Sequence, residues 1–169
     1  MKRSIVLLLI AFVPMLFEAR RSRRHEVALR RRGALEPDSD VYPLMQVVYP
    51  ACFLAMAAEA WPREAAPGWT TAAGAAIFAA GKALKYWAIA TLGERWTFRV
   101  LVLPDAPLIM RGPYRWLRHP NYVGVAGELA GFALMAAAPI TGVLSLVVFG
   151  SLMIVRIAVE ERALDARDR

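Results

Sequence analysis

A dense group of chemically capable side chains lies between Arg111 and Tyr122, directly before an apolar run. The segment reads Arg-Gly-Pro-Tyr-Arg-Trp-Leu-Arg-His-Pro-Asn-Tyr. Arginines and aromatic residues are typical anchors at a membrane interface, but anchoring requires neither a histidine nor a Gly-Pro turn. Pro120 is predicted in the first turn of a helix, where its missing N–H costs nothing. The free N–H groups of such a helix end can bind a carboxylate or a hydroxyl-rich ligand, so the segment is a candidate site.

A second polar pair, Arg156 and Glu160, lies near the end of the last apolar run. The two residues are four positions apart and therefore share one face of a helix. Taken alone, such a pair is typical of a charged helix end at a membrane boundary. Pro139 joins the last two apolar runs so tightly that a helical hairpin is predicted. We therefore expect Arg156 and Glu160 to lie close to the segment from His119 to Tyr122.

The elements that must position these residues are apolar helices. Hydrophobic residues make up 58% of the 169-residue chain, which is more than an ordinary soluble domain carries. Crossing a bilayer takes about 20 apolar residues as helix. The predicted spans are Ile5 to Phe17, which is short, Tyr42 to Trp61, Trp69 to about Leu92, Tyr122 to Ala138 and Ile140 to Val159. We therefore predict an all-α, polytopic integral membrane protein of one domain, residues 1–169, with about five transmembrane helices and a C-terminal helical hairpin.

The charged segments lie between these runs and predict the orientation. The segment Arg20 to Arg32 carries seven arginines in thirteen residues and is predicted to be a loop or interfacial stretch that binds anionic headgroups. A short turn is predicted from Pro62 to Gly68. The net charge is +7, but because the charges lie in blocks beside apolar runs, they indicate a membrane protein and not a nucleic-acid partner. Cytoplasmic loops of membrane proteins carry an excess of lysine and arginine. The count of these residues on each side fits this rule if the amino terminus lies outside and the segment before Tyr122 lies in the cytoplasm.

Four ionisable residues fall inside the predicted spans, where each costs about 2.5–3.5 kcal/mol on insertion scales. Glu59 is close enough to a helix end to reach water. Lys82 and Lys85 are expected to snorkel or to pair with glutamate, and Glu128 should have a cationic or hydrogen-bonding partner. No metal site is predicted, because the chain has only one cysteine and two histidines.

The run Arg118-His119-Pro120-Asn121-Tyr122, followed by Gly124 and by a downstream Arg-x-x-x-Glu at Arg156 and Glu160, resembles the isoprenylcysteine carboxyl methyltransferase family. The resemblance extends from about Lys82 to Leu164. It implies an integral membrane enzyme that uses S-adenosylmethionine as methyl donor, with residues 1–81 as amino-terminal helices and basic loop and residues 82–169 as the cofactor-binding core. The likeness to bacterial members implies the inner (plasma) membrane, with the active site facing the cytoplasm.

By position, the resemblance implies roles for particular residues. The resemblance implies that the cofactor is bound by Leu108, Ile109, Tyr114, His119, Pro120, Asn121, Tyr122 and Glu160. Arg156 is implied to bind the acidic group of the substrate and to act in catalysis by orienting it, with Arg118, Glu128 and Glu161 as supporting residues. Methyl transfer to an oxygen anion is an in-line displacement that depends on alignment, so a catalytic base is not obligatory.

More than one class of methyl acceptor is compatible with the sequence. In eukaryotic members His-x-Leu-Val precedes the tyrosine, whereas this chain reads Ala106-Pro107-Leu108-Ile109 and lacks the histidine. A prenylated substrate and a lipophilic small molecule with a carboxylate or an enolic or phenolic hydroxyl are both compatible, with membrane lipids as surroundings. The alternatives are a phospholipid N-methyltransferase, a non-catalytic membrane anchor and a sterol-type reductase. In the reductase Arg111, Arg115 and Arg118 would bind NADPH phosphates and Glu128 would be an active-site group.

Overall fold

The structure is a computed structural model that describes residues 2–37, 39–62, 68–104 and 106–167. The described part of the chain contains five α-helices and two short 3₁₀ helices, which are joined by loops. The all-α prediction is therefore confirmed for the described residues. The α-helices are α1 (Lys2–Arg31), α2 (Tyr42–Ala60), α3 (Gly68–Leu92), α4 (Pro120–Ala136) and α5 (Pro139–Arg167). The 3₁₀ helices are Gly93–Arg95 and Gly112–Arg115. The turn predicted between Pro62 and Gly68 falls largely on residues outside the described ranges.

Helix α1 is longer than its apolar run predicts. The interpretation of Arg20 to Arg32 as a loop is wrong for most of that segment, because α1 continues without a break to Arg31. Arginine is a good helix former, and one face of this half of the helix is covered by the rest of the protein: Ser22 and Leu29 are each 1% exposed. The helix ends where Gly33 adopts a φ of +81° and Ala34 N donates back to the carbonyl of Leu29 at 3.0 Å.

Helices α3 and α4 are in direct backbone contact along glycines that face one another. A Cβ atom on Gly131 would lie 2.5 Å from the backbone nitrogen of Phe78 and 2.6 Å from the carbonyl oxygen of Gly74. A Cβ atom on Gly81 would lie 2.7 Å from the carbonyl oxygen of Gly124. Small residues on facing helices permit this approach in membrane proteins. The close packing brings the end of α3 and the beginning of α4 to the same end of the bundle.

The predicted hairpin between α4 and α5 is present. Ala137 takes a left-handed conformation with φ of +56°, Ala138 N donates to the carbonyl of Ala133 at 3.0 Å, and α5 begins at Pro139. Glu59 is partly exposed, which agrees with the expectation that it reaches water, and its carboxylate also accepts hydrogen bonds from the backbone N–H groups of Ile140 (3.3 Å) and Thr141 (2.7 Å). An acid on α2 therefore caps the amino end of α5, where free N–H groups and the helix dipole favour a negative charge.

A buried ionic cluster joins α1 to the α3–α4 pair. Lys82 Nζ lies 3.0 Å from Glu18 Oε1 and 2.8 Å from Glu128 Oε2. Lys85 Nζ lies 2.6 Å from Glu18 Oε2 and 3.3 Å from Glu128 Oε1. The Tyr49 hydroxyl on α2 donates to Glu128 Oε2 at 2.8 Å. The predicted partners of the lysines and of Glu128 are thus present, and two positive charges balance two negative ones inside the bundle.

Two described helices, Tyr42–Ala60 and the segment Pro139–Asp165, are long and apolar enough to cross a membrane by length and composition. The predicted count of five spans is therefore not confirmed. Helix α3 carries two lysines, α1 carries the arginine-rich segment, and α4 is only 17 residues long. Large apolar side chains nevertheless point outward along α1 and α5, among them Leu9, Phe17, Val147 and Ile154.

We predict that Gly131→Ala destabilises the protein, because the new methyl group would meet the backbone of α3 and force the two helices apart. Overpacking of this kind typically costs about 1–3 kcal/mol. The measurement is thermal unfolding in detergent. The matched control is Gly150→Ala on α5, where an added Cβ meets nothing within 4 Å. Equal melting temperatures for the two variants would contradict the close packing.

We predict that Glu18→Leu lowers the melting temperature more than the double variant Glu18→Leu/Lys82→Met does. The single change leaves two buried lysines facing one carboxylate, and breaking a buried pair in this way typically costs about 3–5 kcal/mol. The double change leaves a balanced pair of Lys85 and Glu128. A double variant that is less stable than the single one would show that charge balance does not govern the cluster.

Candidate active site

The amino end of α4 is built by two prolines and a 3₁₀ turn. Gly112 opens the turn with φ of +58°, and a Cβ atom at this position would lie 2.4 Å from Oγ1 of Thr91 on α3. The turn ends at Arg115, and α4 then begins with Pro120 as its first residue and His119 as the flanking residue before it. The predicted placement of Pro120 in the first turn is confirmed. Within the described part of the chain, the side chain of His119 makes no capping hydrogen bond at this helix end.

The polar pairs predicted to meet across the hairpin do meet. The Tyr122 hydroxyl on α4 donates to Glu160 Oε2 on α5 at 3.0 Å. His119 Nδ1 lies 3.7 Å from the same Glu160 oxygen, and His119 Nε2 lies 3.3 Å from Glu161 Oε1. Arg118 Nη1 reaches Glu161 Oε1 at 3.2 Å, with its own side chain almost fully exposed. Two carboxylates of α5 thus face a histidine, an arginine and a tyrosine from the beginning of α4.

These side chains border a cavity of about 100 Å³. One wall comes from the beginning of α4 and the preceding turn, one from α5, and the third from the segment that follows α3. The lining residues predicted from the sequence are Tyr114, Arg118, His119, Asn121, Tyr122, Arg156 and Glu160. The third wall was missed: it consists of Leu92 and of the loop 95–102, here called the pocket loop.

Leu108 and Ile109 lie apart from this cavity, in a neighbouring open groove of about 430 Å³. The groove and the cavity share Leu92 and Arg95 in their walls, so they adjoin. Arg95 Nη1 donates to the carbonyl oxygen of Pro107 at 2.6 Å, which fixes the segment before Leu108 to the pocket loop. The structure therefore distributes the predicted cofactor residues over two adjacent spaces.

Besides Leu108 and Ile109, three more of the predicted residues are not in the lining of the cavity. Pro120 is less than 2% exposed and packs behind the helix end. Glu161 pairs with Arg118 and His119 at the rim. Glu128 belongs to the buried ionic cluster deeper along α4, where its oxygens already face two lysines and Tyr49. A supporting role for Glu128 at the site would therefore have to act through the packing of the bundle.

Arg156 is only 5% exposed, and two of its nitrogens are already bound. Nη1 lies 2.7 Å from Oδ1 of Asp40, and Nη2 donates to the carbonyl oxygen of Phe98. Among the described residues its Nε has no hydrogen-bond partner. The Oδ1 atom of Asn121 is likewise buried without a partner in the described part of the chain. Two residues that line one cavity thus each hold a buried polar atom without a partner among the described residues, one a donor and one an acceptor.

Tyr114 is a neutral hydrogen-bonding group of the site. Burial, assisted by the negative charge of Glu160, raises the pKa of the Tyr114 phenol well above its ordinary value. The phenol therefore keeps its proton at neutral pH and can donate a hydrogen bond into the cavity. Together with Arg156 and Arg118 it makes the cavity suited to a ligand that carries acceptor oxygens.

Asp40 and the pocket loop were not identified from the sequence. The available signal for Asp40 was local only: an aspartate two residues before a helix is a typical helix-start residue, and its Oδ1 does accept from Tyr42 N at 2.9 Å. Its partnership with Arg156, 116 positions away, has no sequence signature. The pocket loop follows α3 as an irregular segment without periodicity, so its side-chain directions could not be read from the pattern.

A helical bundle with two helices that are candidates for crossing a membrane, and with a polar pocket at one end, is typical of a membrane protein. The chain belongs to the family described as the isoprenylcysteine carboxyl methyltransferase (ICMT) family, which residues 74–166 match. This membership supports a methyltransferase-type membrane protein. The match covers α3 to α5 and the pocket loop, while α1, α2 and Asp40 lie outside it.

The similar proteins are bacterial. The chain is 31% identical over 159 residues to the uncharacterized protein YpbQ of Bacillus subtilis (strain 168), covering 94% of this chain and 95% of that protein. It is 30% identical over 144 residues to an uncharacterized protein of Haemophilus influenzae (strain ATCC 51907 / DSM 11121 / KW20 / Rd), covering 85% and 84% of the two chains. No solved structure matches.

Proposed function

We propose that this protein is an S-adenosylmethionine-dependent O-methyltransferase. The acceptor group is a carboxylate, or an enolic or phenolic hydroxyl, of a lipophilic substrate in the membrane. Family membership supports methyl transfer in general. The observation that carries the particular proposal is that Tyr122, Glu160 and the unpaired amide oxygen of Asn121 line one pocket at an uncapped helix end.

The residues present fit S-adenosylmethionine. Its hydroxyl and amino groups are donors, and the Glu160 carboxylate and Asn121 Oδ1 are the acceptors that the pocket offers them. Its carboxylate suits His119 and Arg118 at the amino end of α4, where the helix dipole also favours negative charge. Its sulfonium charge suits the faces of tyrosines.

The neighbouring groove completes the space that such a ligand needs. Leu108 and Ile109 give it an apolar wall, and it adjoins the cavity at Leu92 and Arg95. Pockets for small ligands typically have roughly 300–1,000 Å³ and are mostly apolar with a few placed polar groups. The cavity alone is smaller than this, whereas the cavity and groove together reach the range.

When bound, S-adenosylmethionine supplies an electrophilic methyl group. The residues of this chain then have to hold an acceptor oxygen on the line of attack, because such a displacement gains most from alignment. We assign this role to Arg156, which lines the cavity and whose guanidinium is held by Asp40 and the Phe98 carbonyl. Tyr114, which stays protonated, is a second donor for an acceptor oxygen.

We further propose that all five helices lie in the bacterial inner membrane, with the amino terminus outside and the pocket facing the cytoplasm. Trp61 and Trp69 are exposed at the end of the bundle opposite the pocket, as expected for an aromatic belt. The arginines of α1 from Arg20 onward lie on the pocket side. The outward apolar side chains of α1 and α5 suit lipid contact, so a lipophilic acceptor can approach from the bilayer.

The alternative functions gain less support. A reductase of the sterol type needs Glu128 as an active-site group, but both Glu128 oxygens face the buried lysines. A phospholipid N-methyltransferase would bring an initially cationic acceptor beside Arg156. No contact of the described residues favours either function over O-methylation.

We predict that the purified protein binds S-adenosylhomocysteine and that Glu160→Gln weakens this binding by roughly 10- to 100-fold, the effect of losing hydrogen bonds to a charged group. Binding is measured by tryptophan fluorescence or by the shift in melting temperature, with NADPH as a parallel ligand. The matched control is Asp165→Asn, an exposed acid on the same helix outside the cavity lining. NADPH binding without any response to S-adenosylhomocysteine would refute the proposed cofactor.

We predict that the protein transfers a radiolabelled methyl group from S-adenosylmethionine into a lipid extract of its host. Label that is released by mild alkali indicates a methyl ester and hence a carboxylate acceptor, whereas alkali-stable label indicates an ether formed at a hydroxyl. Label found on a phospholipid amine would contradict O-methylation. Glu160→Gln serves as the inactive control.

A further inference from the structure

Asp40 is the meeting point of three segments of the chain. It lies just before α2, and its side chain is 4% exposed. Its Oδ1 accepts from Tyr42 N at 2.9 Å and lies 2.7 Å from Nη1 of Arg156 on α5. Its Oδ2 accepts from the backbone nitrogen of Val100 in the pocket loop at 2.9 Å. One carboxylate thus binds α2, α5 and a wall of the pocket.

Arg156 completes the connection. It is bound to Asp40 through Nη1 and to the Phe98 carbonyl of the pocket loop through Nη2. Without Asp40 the guanidinium would be a buried cation that has lost the carboxylate paired with it among the described residues, an arrangement that costs far more than the paired one. The charge balance and the position of the pocket loop therefore depend on the same carboxylate.

The amino-terminal part of the chain supports the pocket loop at further points. Ser22 Oγ on α1 accepts from Phe98 N at 2.8 Å. Leu35 and Val102 exchange two backbone hydrogen bonds of 2.9 Å, and Glu36 Oε1 lies 2.7 Å from Nη1 of Arg99. These supports come from residues outside the segment that matches the family. The wall of the pocket is thus held by a part of the chain that the family match leaves unassigned.

We propose that Asp40 is a positioning residue of the methyl-transfer site, which holds the pocket loop and Arg156 in the geometry that binds the cofactor. The inference rests on the proposed function, because it assigns the cavity to S-adenosylmethionine. Asp40 acts through Arg156 and Val100 and is not itself a lining residue of the cavity.

Trp96 provides a readout for this proposal. It lines the cavity, is 3% exposed and packs against Phe98 with ring centroids 5.2 Å apart. The other tryptophans, Trp61, Trp69, Trp87 and Trp116, are between 47% and 75% exposed and can be replaced by phenylalanine. In that single-tryptophan protein, quenching by acrylamide reports the order of the pocket loop, and the emission change on adding S-adenosylhomocysteine reports binding.

Three variants are compared in this background: Asp40→Asn, Asp40→Glu and the double variant Asp40→Leu/Arg156→Met. We expect Asp40→Asn to raise acrylamide quenching of Trp96 and to weaken S-adenosylhomocysteine binding by about tenfold, the effect of losing one or two hydrogen bonds. Asp40→Glu keeps the carboxylate and should recover part of both signals. The double variant removes both buried charges, so its melting temperature should rise above that of Asp40→Asn.

The double variant separates positioning from a purely structural ion pair. If Asp40 positions the pocket loop, the double variant regains stability while acrylamide quenching of Trp96 stays raised, because Val100 N and the Phe98 carbonyl still lack their partners. Its affinity is compared with that of the single variant Arg156→Met, which removes the same guanidinium but keeps the bond of Asp40 to Val100 N, and we expect the double variant to bind more weakly. Recovery of both stability and affinity would overturn the proposal, and so would an Asp40→Asn variant with wild-type quenching and affinity. If the unsubstituted protein binds no S-adenosylhomocysteine, the proposed function fails, and the quenching of Trp96 alone decides whether Asp40 holds the loop.

Discussion

The direct backbone contact between α3 and α4 is the constraint on which the remaining structure depends. Because Gly81 and Gly124 lack side chains, the lysines of α3 come within ion-pair distance of Glu128 on α4. The same contact brings the pocket loop, which continues α3, alongside the beginning of α4. A side chain at the glycines would separate the helices and, with them, both the ionic cluster and two walls of the pocket.

Charge balance is the second organising feature. An unpaired ion is expensive in a bilayer interior, and each buried charge of the described residues belongs to a pair or to a larger neutral set. The cluster around Lys82 and Lys85 ties α1 to α3 and α4, and the pair of Asp40 and Arg156 ties the chain before α2 to α5. The amino-terminal helices are thereby bound to a core that the family match covers, and they contribute to the pocket although they lie outside that match.

Much of the fold could be predicted because it follows from local patterns. The apolar runs predicted α2 and α3 to within a few residues, and Pro139 predicted the hairpin. The prediction fails for α1, because it assigns the arginine-rich segment to a loop or interfacial stretch outside the first helix. Arginine does not break a helix, and what decided the outcome was the burial of Ser22 and Leu29 against the rest of the protein, which no local pattern contains.

The sequence by itself determined the helical class, the hairpin and the meeting of His119 and Tyr122 with Glu160, because helix periodicity and proline chemistry act over short distances. Only the tertiary structure decided which groups share the cavity. It separated Leu108 and Ile109 into an adjoining groove, placed Glu128 in the ionic cluster and brought Asp40 to Arg156. The physical reason is that irregular segments take their geometry from long-range contacts, and the partner of a buried charge is chosen by packing and not by spacing along the chain.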